Sequence, residues 1–296
     1  MKPKDWVAFL FLTFIWGASF YWIKIAVRDV GPVSLVAFRL AFGLIGLVAF
    51  FPILKPRMPR ERRVWVYLAV LGLTSSAAPW FLISWAETTI DSAIASVLNG
   101  TVPLFTIVVA HFFLGDERIS AGKVLGLLLG FFGVVVLAQR SGGAGEAAVT
   151  VPSPVNFLGT GAMLLATFFY AVGAVHARRN LGGVSALVQA FFSMVFSLAA
   201  ILVVVFAVGD GPRFPTRTDT WAALAWLGVL GAGIASYVFY KLLHSVGPTR
   251  ASLVTYTLPV VGVTLGVIIL NERLDWQLAA GTLLIVSGVW VVNRRR

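Results

Sequence analysis

The amino-acid sequence predicts an all-α integral membrane protein of ten transmembrane helices, arranged as two inverted five-helix repeats with both termini cytoplasmic. Composition, the length of the apolar runs and a self-alignment carry that expectation. The chain of 296 residues is 59% hydrophobic and only 12% charged, whereas soluble domains are about a quarter charged. Its apolar residues fall in runs near 20 long, the length a helix needs to cross about 30 Å of hydrocarbon.

In chain order the predicted spans are 6–27, 33–54, 64–86, 92–114, 119–139, 155–177, 185–208, 220–243, 249–270 and 275–293. The first, Trp6–Val27, follows a basic start but is longer than the 7–15 residues of a signal h-region, so it is expected to be a retained helix. Helices are the expected form because backbone groups find no water at membrane depth. The connectors are short; the longest, the Gly/Ala-rich 140–154 and the Pro/Arg-containing 209–219, leave no room for a soluble domain. Of the 23 Lys and Arg, sixteen lie at one set of span ends and seven at the other, which by the positive-inside rule puts both termini in the cytoplasm.

Shifting the chain by 156 residues aligns 65–114 with 221–270 without a gap. Trp65 pairs with Trp221, Gly72 with Gly228, Ser96 with Ser252, Thr101 with Thr257 and Pro103 with Pro259. After one deletion Glu117 pairs with Glu272, Arg118 with Arg273, Gly126 with Gly281 and Gly133 with Gly288. The halves 1–140 and 155–296, joined by the linker 141–154, each hold five spans. An odd number inverts the second copy, an architecture whose substrate site lies near the midplane.

Several function classes fall away. There is no cysteine, hence no disulfide, thiolate metal site or thiol chemistry. The net charge of +11 comes from short basic clusters between apolar runs, where it sets topology, so nucleic acid is not an expected partner. P-loop, HExxH, GxSxG and GxGxxG motifs are absent from the sequence. His111, His176 and His244 stand alone on their spans, with polar packing as their expected role. Neither a catalytic constellation nor a metal or other cofactor is expected; the expected partners are a small-molecule substrate and the bilayer.

Polar residues inside the runs are the candidate site. In the fourth span Ser92, Ser96, Asn99 and Pro103 follow at intervals of four, three and four, along one helical face; the ninth span matches them with Ser252, Thr255 or Tyr256, and Pro259. Hydroxyl residues also serve as packing surface between membrane helices. The prolines remove backbone hydrogen bonds and can kink their helices. Trp80, Phe81 and Trp85 cluster in the third span and Tyr237, Phe239 and Tyr240 in the eighth, while Trp16, Phe20 and Tyr170 offer a further cavity wall. Arg39 stands about two turns inside the second span. Intramembrane charge is a functional signal, and Glu87 with Asp91 at the same predicted side gives Arg39 an ion-pair or gate reading. Gly126, Gly130, Gly133, Gly281 and Gly288 suit close packing, either within a monomer or across a weak homodimer.

The segments WGASFYWIKIAV from Trp16, FRLAFG from Phe38, SAIASVLNGTVPLFT through FFLGDERIS, and their second copy TRASLVTYTLPV to NERLDW resemble the EamA-type repeat of the drug/metabolite transporter superfamily. The resemblance runs over nearly the whole chain. It implies a ten-helix basket in the inner or plasma membrane, a central cavity lined by spans 1, 3, 4, 6, 8 and 9, and alternating access. The YddG-like branch of aromatic amino-acid exporters offers the nearest parallel. On that resemblance Trp16, Phe20, Trp80, Phe81, Tyr170, Tyr237 and Tyr256 supply stacking surface, and Ser96, Asn99, Ser252 and Thr255 bond the substrate's polar groups. Pro103, Pro259, Arg39 and Glu87 are then gating or helix-break positions. The alternatives are a multidrug or organic-cation exporter and, more remotely, a channel or an intramembrane enzyme. The second copy departs from the first around Arg39, where the aligned region holds Gln189 and Ala190.

Overall fold

The computed structural model describes residues 3–114, 121–138, 154–207, 211–246, 251 and 254–293. Among these residues every regular element is a helix: α1 Pro3–Val48, α2 Phe51–Leu54, α3 Arg62–Gly72, α4 Ala78–Ala86, α5 Ser92–Asn99, α6 Val102–Phe113, α7 Ala121–Ala138, α8 Pro154–Asn180, α9 Ala186–Ala207, α10 Thr218–Ala225, α11 Ala235–Val246, α12 Val254–Ile269 and α13 Trp276–Asn293. Six helical stretches are long and apolar enough to cross a membrane, and the shorter apolar helices include 121–137, 257–269 and 276–288. Large apolar side chains such as Val7, Leu10, Phe14, Val203 and Phe206 are exposed, as expected of surface that meets lipid rather than water.

The breaks in these helices place the interior residues. Gly31, at φ 73° and ψ 170°, interrupts α1 just before Pro32; the left-handed φ suits a residue without a Cβ. Between α3 and α4 the backbone runs as a π-helix, Leu73–Ala77, and between α10 and α11 it does so again, Trp226–Ile234. The shift of 156 maps one π stretch into the other, so the extra residue per turn recurs at equivalent places in both halves. Such bulges are frequent at functional sites.

Helix α5 ends at Gly100 and Thr101, whose N–H groups donate to Val97 and Leu98 carbonyls at 2.9 Å each. Pro103 then stands in the first turn of α6, where its missing N–H costs nothing. Its repeat partner Pro259 lies inside α12, so the same residue type breaks one helix and is accommodated in the other.

The start of α5 is held from the other half of the chain. Ser92 donates its N–H and its hydroxyl to Glu272 Oε1, each at 2.8 Å, and Ala93 N–H donates to Oε2 at 2.9 Å. Glu272 reaches this position because α12 ends in a left-handed turn: Asn271 has φ 55°, and Glu272 N–H returns to the Gly266 carbonyl at 3.0 Å, a Schellman-type ending. A Cβ on Gly266 would run into the Glu272 carboxylate.

Helices α7 and α13 pack through their glycines. A Cβ on Gly133 would meet the Gly281 carbonyl at 2.9 Å, and one on Gly288 would meet the Gly126 carbonyl at 2.6 Å. Of the two readings the glycines allowed, this is packing within one chain. The turn Asp116-Glu117-Arg118 lies outside the described residues.

Glu272→Ala is expected to lower stability by about 2 kcal/mol or more, since it strips a charged cap from buried donors, and Glu272→Gln to lose less because it keeps one acceptor oxygen. Thermal unfolding in detergent measures both. Gly288→Val, whose side chain would press on backbone atoms of α7, is expected to cut the yield of monodisperse protein in size-exclusion chromatography.

Candidate functional site

The first π stretch, the end of α5, the middles of α1 and α8, and parts of α4, α11 and the first turns of α12 surround one cavity of about 150 Å³. Its wall is mostly aromatic and aliphatic. Trp16 fixes one side by donating Nε1–H to the Gly231 carbonyl at 2.9 Å, a carbonyl within the π stretch Trp226–Ile234, and its ring lies 5.2 Å from Phe239. Trp80 and Tyr240 are buried at 5% and 7% exposure and contribute further ring surface to the wall.

Hydroxyl groups punctuate this surface, and several are internally satisfied. Ser19 donates to the Ile15 carbonyl at 2.9 Å and Ser193 to the Ala190 carbonyl at 3.1 Å. Ser19 therefore presents an oxygen lone pair to the cavity, while Ser193 also meets the Tyr240 hydroxyl. Ser75, Ser76, Ser236 and Thr106 also reach the wall. The first two sit there because the π stretch Leu73–Ala77 turns them inward.

Two strongly polar groups stand out. Asn99, the last residue of α5, is 5% exposed and its Oδ1 has no hydrogen-bond partner. Arg39 is 4% exposed; its guanidinium carbon lies 4.1 Å from the centre of the Trp80 ring, and its Nε is unpartnered. A desolvated cation over an indole face gains about 2 kcal/mol, which recovers only part of the several kcal/mol that burial of an ion costs.

Of the residues expected from sequence, Trp16, Phe20, Trp80, Asn99, Tyr170, Thr255 and Arg39 border this cavity. Phe81 is half-buried against the surrounding core. Ser96 is fully buried, donates to the Ala93 carbonyl at 2.7 Å and packs where a Cβ on Gly262 would strike it. Tyr237 leans on Phe50 at 5.6 Å and carries Lys241 over its ring at 5.4 Å. Pro103 and Pro259 stand at the helix positions already described. Ser252 and the Tyr256 side chain lie outside the described residues.

Glu87, at the end of α4, is fully buried with both carboxylate oxygens unpartnered, so Arg39 and Glu87 do not form an ion pair in this structure. Lys24 bonds instead to the backbone there, donating to the Glu87 and Ile90 carbonyls at 2.8 and 2.6 Å. His176 contacts the Tyr67 carbonyl at 2.9 Å and His244 contacts Gln189 at 3.3 Å. No group of three or more acidic or histidine side chains suited to a metal occurs among the described residues.

Sequence reasoning passed over Ser19, Ser75, Ser76, Ser193 and Ser236. They had a signal, since Ser75-Ser76 and Gly231-Ala232 are small residues at equivalent repeat positions, but nothing in the pattern announced a π-helix.

The chain resembles known proteins over its full length. It is 26% identical over 302 residues to a "Probable amino-acid metabolite efflux pump" of Escherichia coli K12, covering 98% of this chain and 95% of that protein. It is 27% identical over 299 residues to a "Probable terminal-alkyne amino-acid exporter" of Streptantibioticus cattleyicolor, covering 100% and 95%. An uncharacterised transporter of Archaeoglobus fulgidus is 26% identical over 303 residues, covering 99% and 100%. A solved crystal structure superposes with a TM-score of 0.69 at 23% identity, over 99% of this chain and 97% of the other, and shows the shared fold. The family description "EamA-like transporter family" matches residues 5–139 and again 157–294, and this multi-pass membrane protein belongs to that family.

Proposed function

We propose that the protein is a secondary exporter of small neutral metabolites, foremost neutral and aromatic amino acids, working by alternating access in the inner or plasma membrane. The observation that carries the reading is the cavity itself. Aromatic faces from both halves surround it, and the few polar groups on its wall include one unsatisfied amide and one unsatisfied guanidinium. An apolar side chain gains from burial against such rings, while a zwitterionic head needs a donor and an acceptor that the wall has not already used. Two relatives bear names of amino-acid efflux or export, which supports the same substrate class.

The expected topology belongs to this proposal: halves 1–140 and 155–296, oppositely oriented, with both termini cytoplasmic. Two features support it. The excess of Lys and Arg falls at the ends that such a topology places inside. The glycine contacts also run in reverse order along α7 and α13, Gly126 to Gly288 and Gly133 to Gly281, so these repeat-equivalent helices cross antiparallel.

Purified protein in liposomes loaded with unlabelled amino acid is expected to take up labelled phenylalanine or leucine in saturable counterflow. Ala174→Trp, which fills the cavity from α8, is expected to reduce that flux at least tenfold while the protein still elutes as a folded species. Non-saturable flux would replace the carrier with a channel, and full activity of the filled variant would remove this cavity from the path.

A further inference from the structure

Arg39 is the least satisfied group on the cavity wall. Its guanidinium carbon lies 4.1 Å from the centre of the Trp80 ring. Its Nε is buried without an acceptor, and no carboxylate among the described residues forms an ion pair with it. Both Glu87 oxygens are buried without a hydrogen-bond partner, so the two groups are not paired. A guanidinium held this way keeps its planar fork of donors unused, and such a fork matches a carboxylate bidentately.

The repeat shows that this is a one-sided feature. Gly72 and Gly228 are equivalent: a Cβ on Gly228 would lie 3.0 Å from the Arg39 carbonyl, and one on Gly72 would strike the Ser193 carbonyl. Ser193, rather than the Gln189 and Ala190 expected from the alignment, is therefore the counterpart of Arg39 in the second half. Likewise Trp80 corresponds to Ser236, and Asn99 to Thr255. All six residues line the cavity, but charge, indole and amide gather on the face of the first half.

We propose that Arg39 is the carboxylate-binding residue of this cavity, with Trp80 holding its guanidinium in place and Asn99 Oδ1 accepting from the substrate's ammonium group. The inference rests on the exporter reading and narrows it to substrates bearing a carboxylate. A fixed buried cation repels organic cations that lack an anionic group, so that alternative is disfavoured at the same site.

The test compares three probes of one shape: phenylalanine, 3-phenylpropionate and phenethylamine. In counterflow of labelled phenylalanine, 3-phenylpropionate is expected to compete at least about tenfold better than phenethylamine, the penalty expected when a site built for a polar group is left unpaired. Arg39→Gln is expected to raise the KM for phenylalanine about tenfold or more and to erase that preference, with Arg39→Lys intermediate because it keeps charge without the fork. Ligand-induced shifts in thermal unfolding, measured on the same variants, read binding when no flux is seen. Stabilisation by 3-phenylpropionate in the parent and not in Arg39→Gln supports the assignment even if counterflow, and with it the exporter reading, fails. Equal action of the amine and the acid, an unchanged preference in Arg39→Gln, or no carboxylate-dependent stabilisation of the parent overturns it.

Discussion

The structure depends on one carboxylate reaching across the chain. Glu272 accepts three hydrogen bonds from Ser92 and Ala93, and those bonds replace the cap that α5 lacks from its own side chains. A helix of eight residues is marginal by itself, and its first N–H groups are buried where they need a partner other than water. An anion at its N-terminus satisfies the donors and complements the helix dipole at once. About 10 Å further on, at ~1.5 Å per residue, the same helix delivers Asn99 to the cavity wall. The polar chemistry of the wall is therefore anchored by a residue from the opposite end of the sequence.

Two kinds of unsatisfied polar group coexist in this interior, and they differ in access. Glu87 does not reach the cavity, whereas the residues Arg39 and Asn99 line its wall. An unpaired group without access to a partner only costs stability, while one on a cavity wall can recover that cost when a ligand arrives. Trp80 makes the waiting state of Arg39 tolerable because its ring supplies attraction without occupying the N–H donors. A carboxylate in place of the indole would neutralise the cation more completely and would leave nothing for a substrate to bind.

Legibility from sequence followed physical range. Apolar run length and the internal repeat announced a helical membrane protein, because the bilayer imposes both on composition. Trp16, Trp80 and Asn99 could be picked out because an aromatic or amide residue inside an apolar span is conspicuous. The role of Glu272 could not be, since a charged residue after an apolar run reads as a helix stop and its partners lie 180 residues away. Ser96 and Tyr237 do not line this cavity: Ser96 is taken up in helix packing, and Tyr237 lies against Phe50 and Lys241. The π stretches escaped notice because the glycines and serines that accompany them also suit ordinary close packing.

Contacts between the halves repeat as the sequence does. Thr13 bonds to Thr257 at 2.6 Å, and Thr101 donates to Thr167 at 3.3 Å; each contact is the image of the other when the halves are exchanged. The glycine seam obeys the same exchange, as do the two π stretches. The scaffold is thus close to symmetric, and a symmetric wall would offer a substrate two equivalent poses. Arg39, Trp80 and Asn99 on one face, against Ser193, Ser236 and Thr255 on the other, break that equivalence with three side chains. On the proposed function, an asymmetric molecule, charged at one end and apolar at the other, has a single favoured orientation between these two faces.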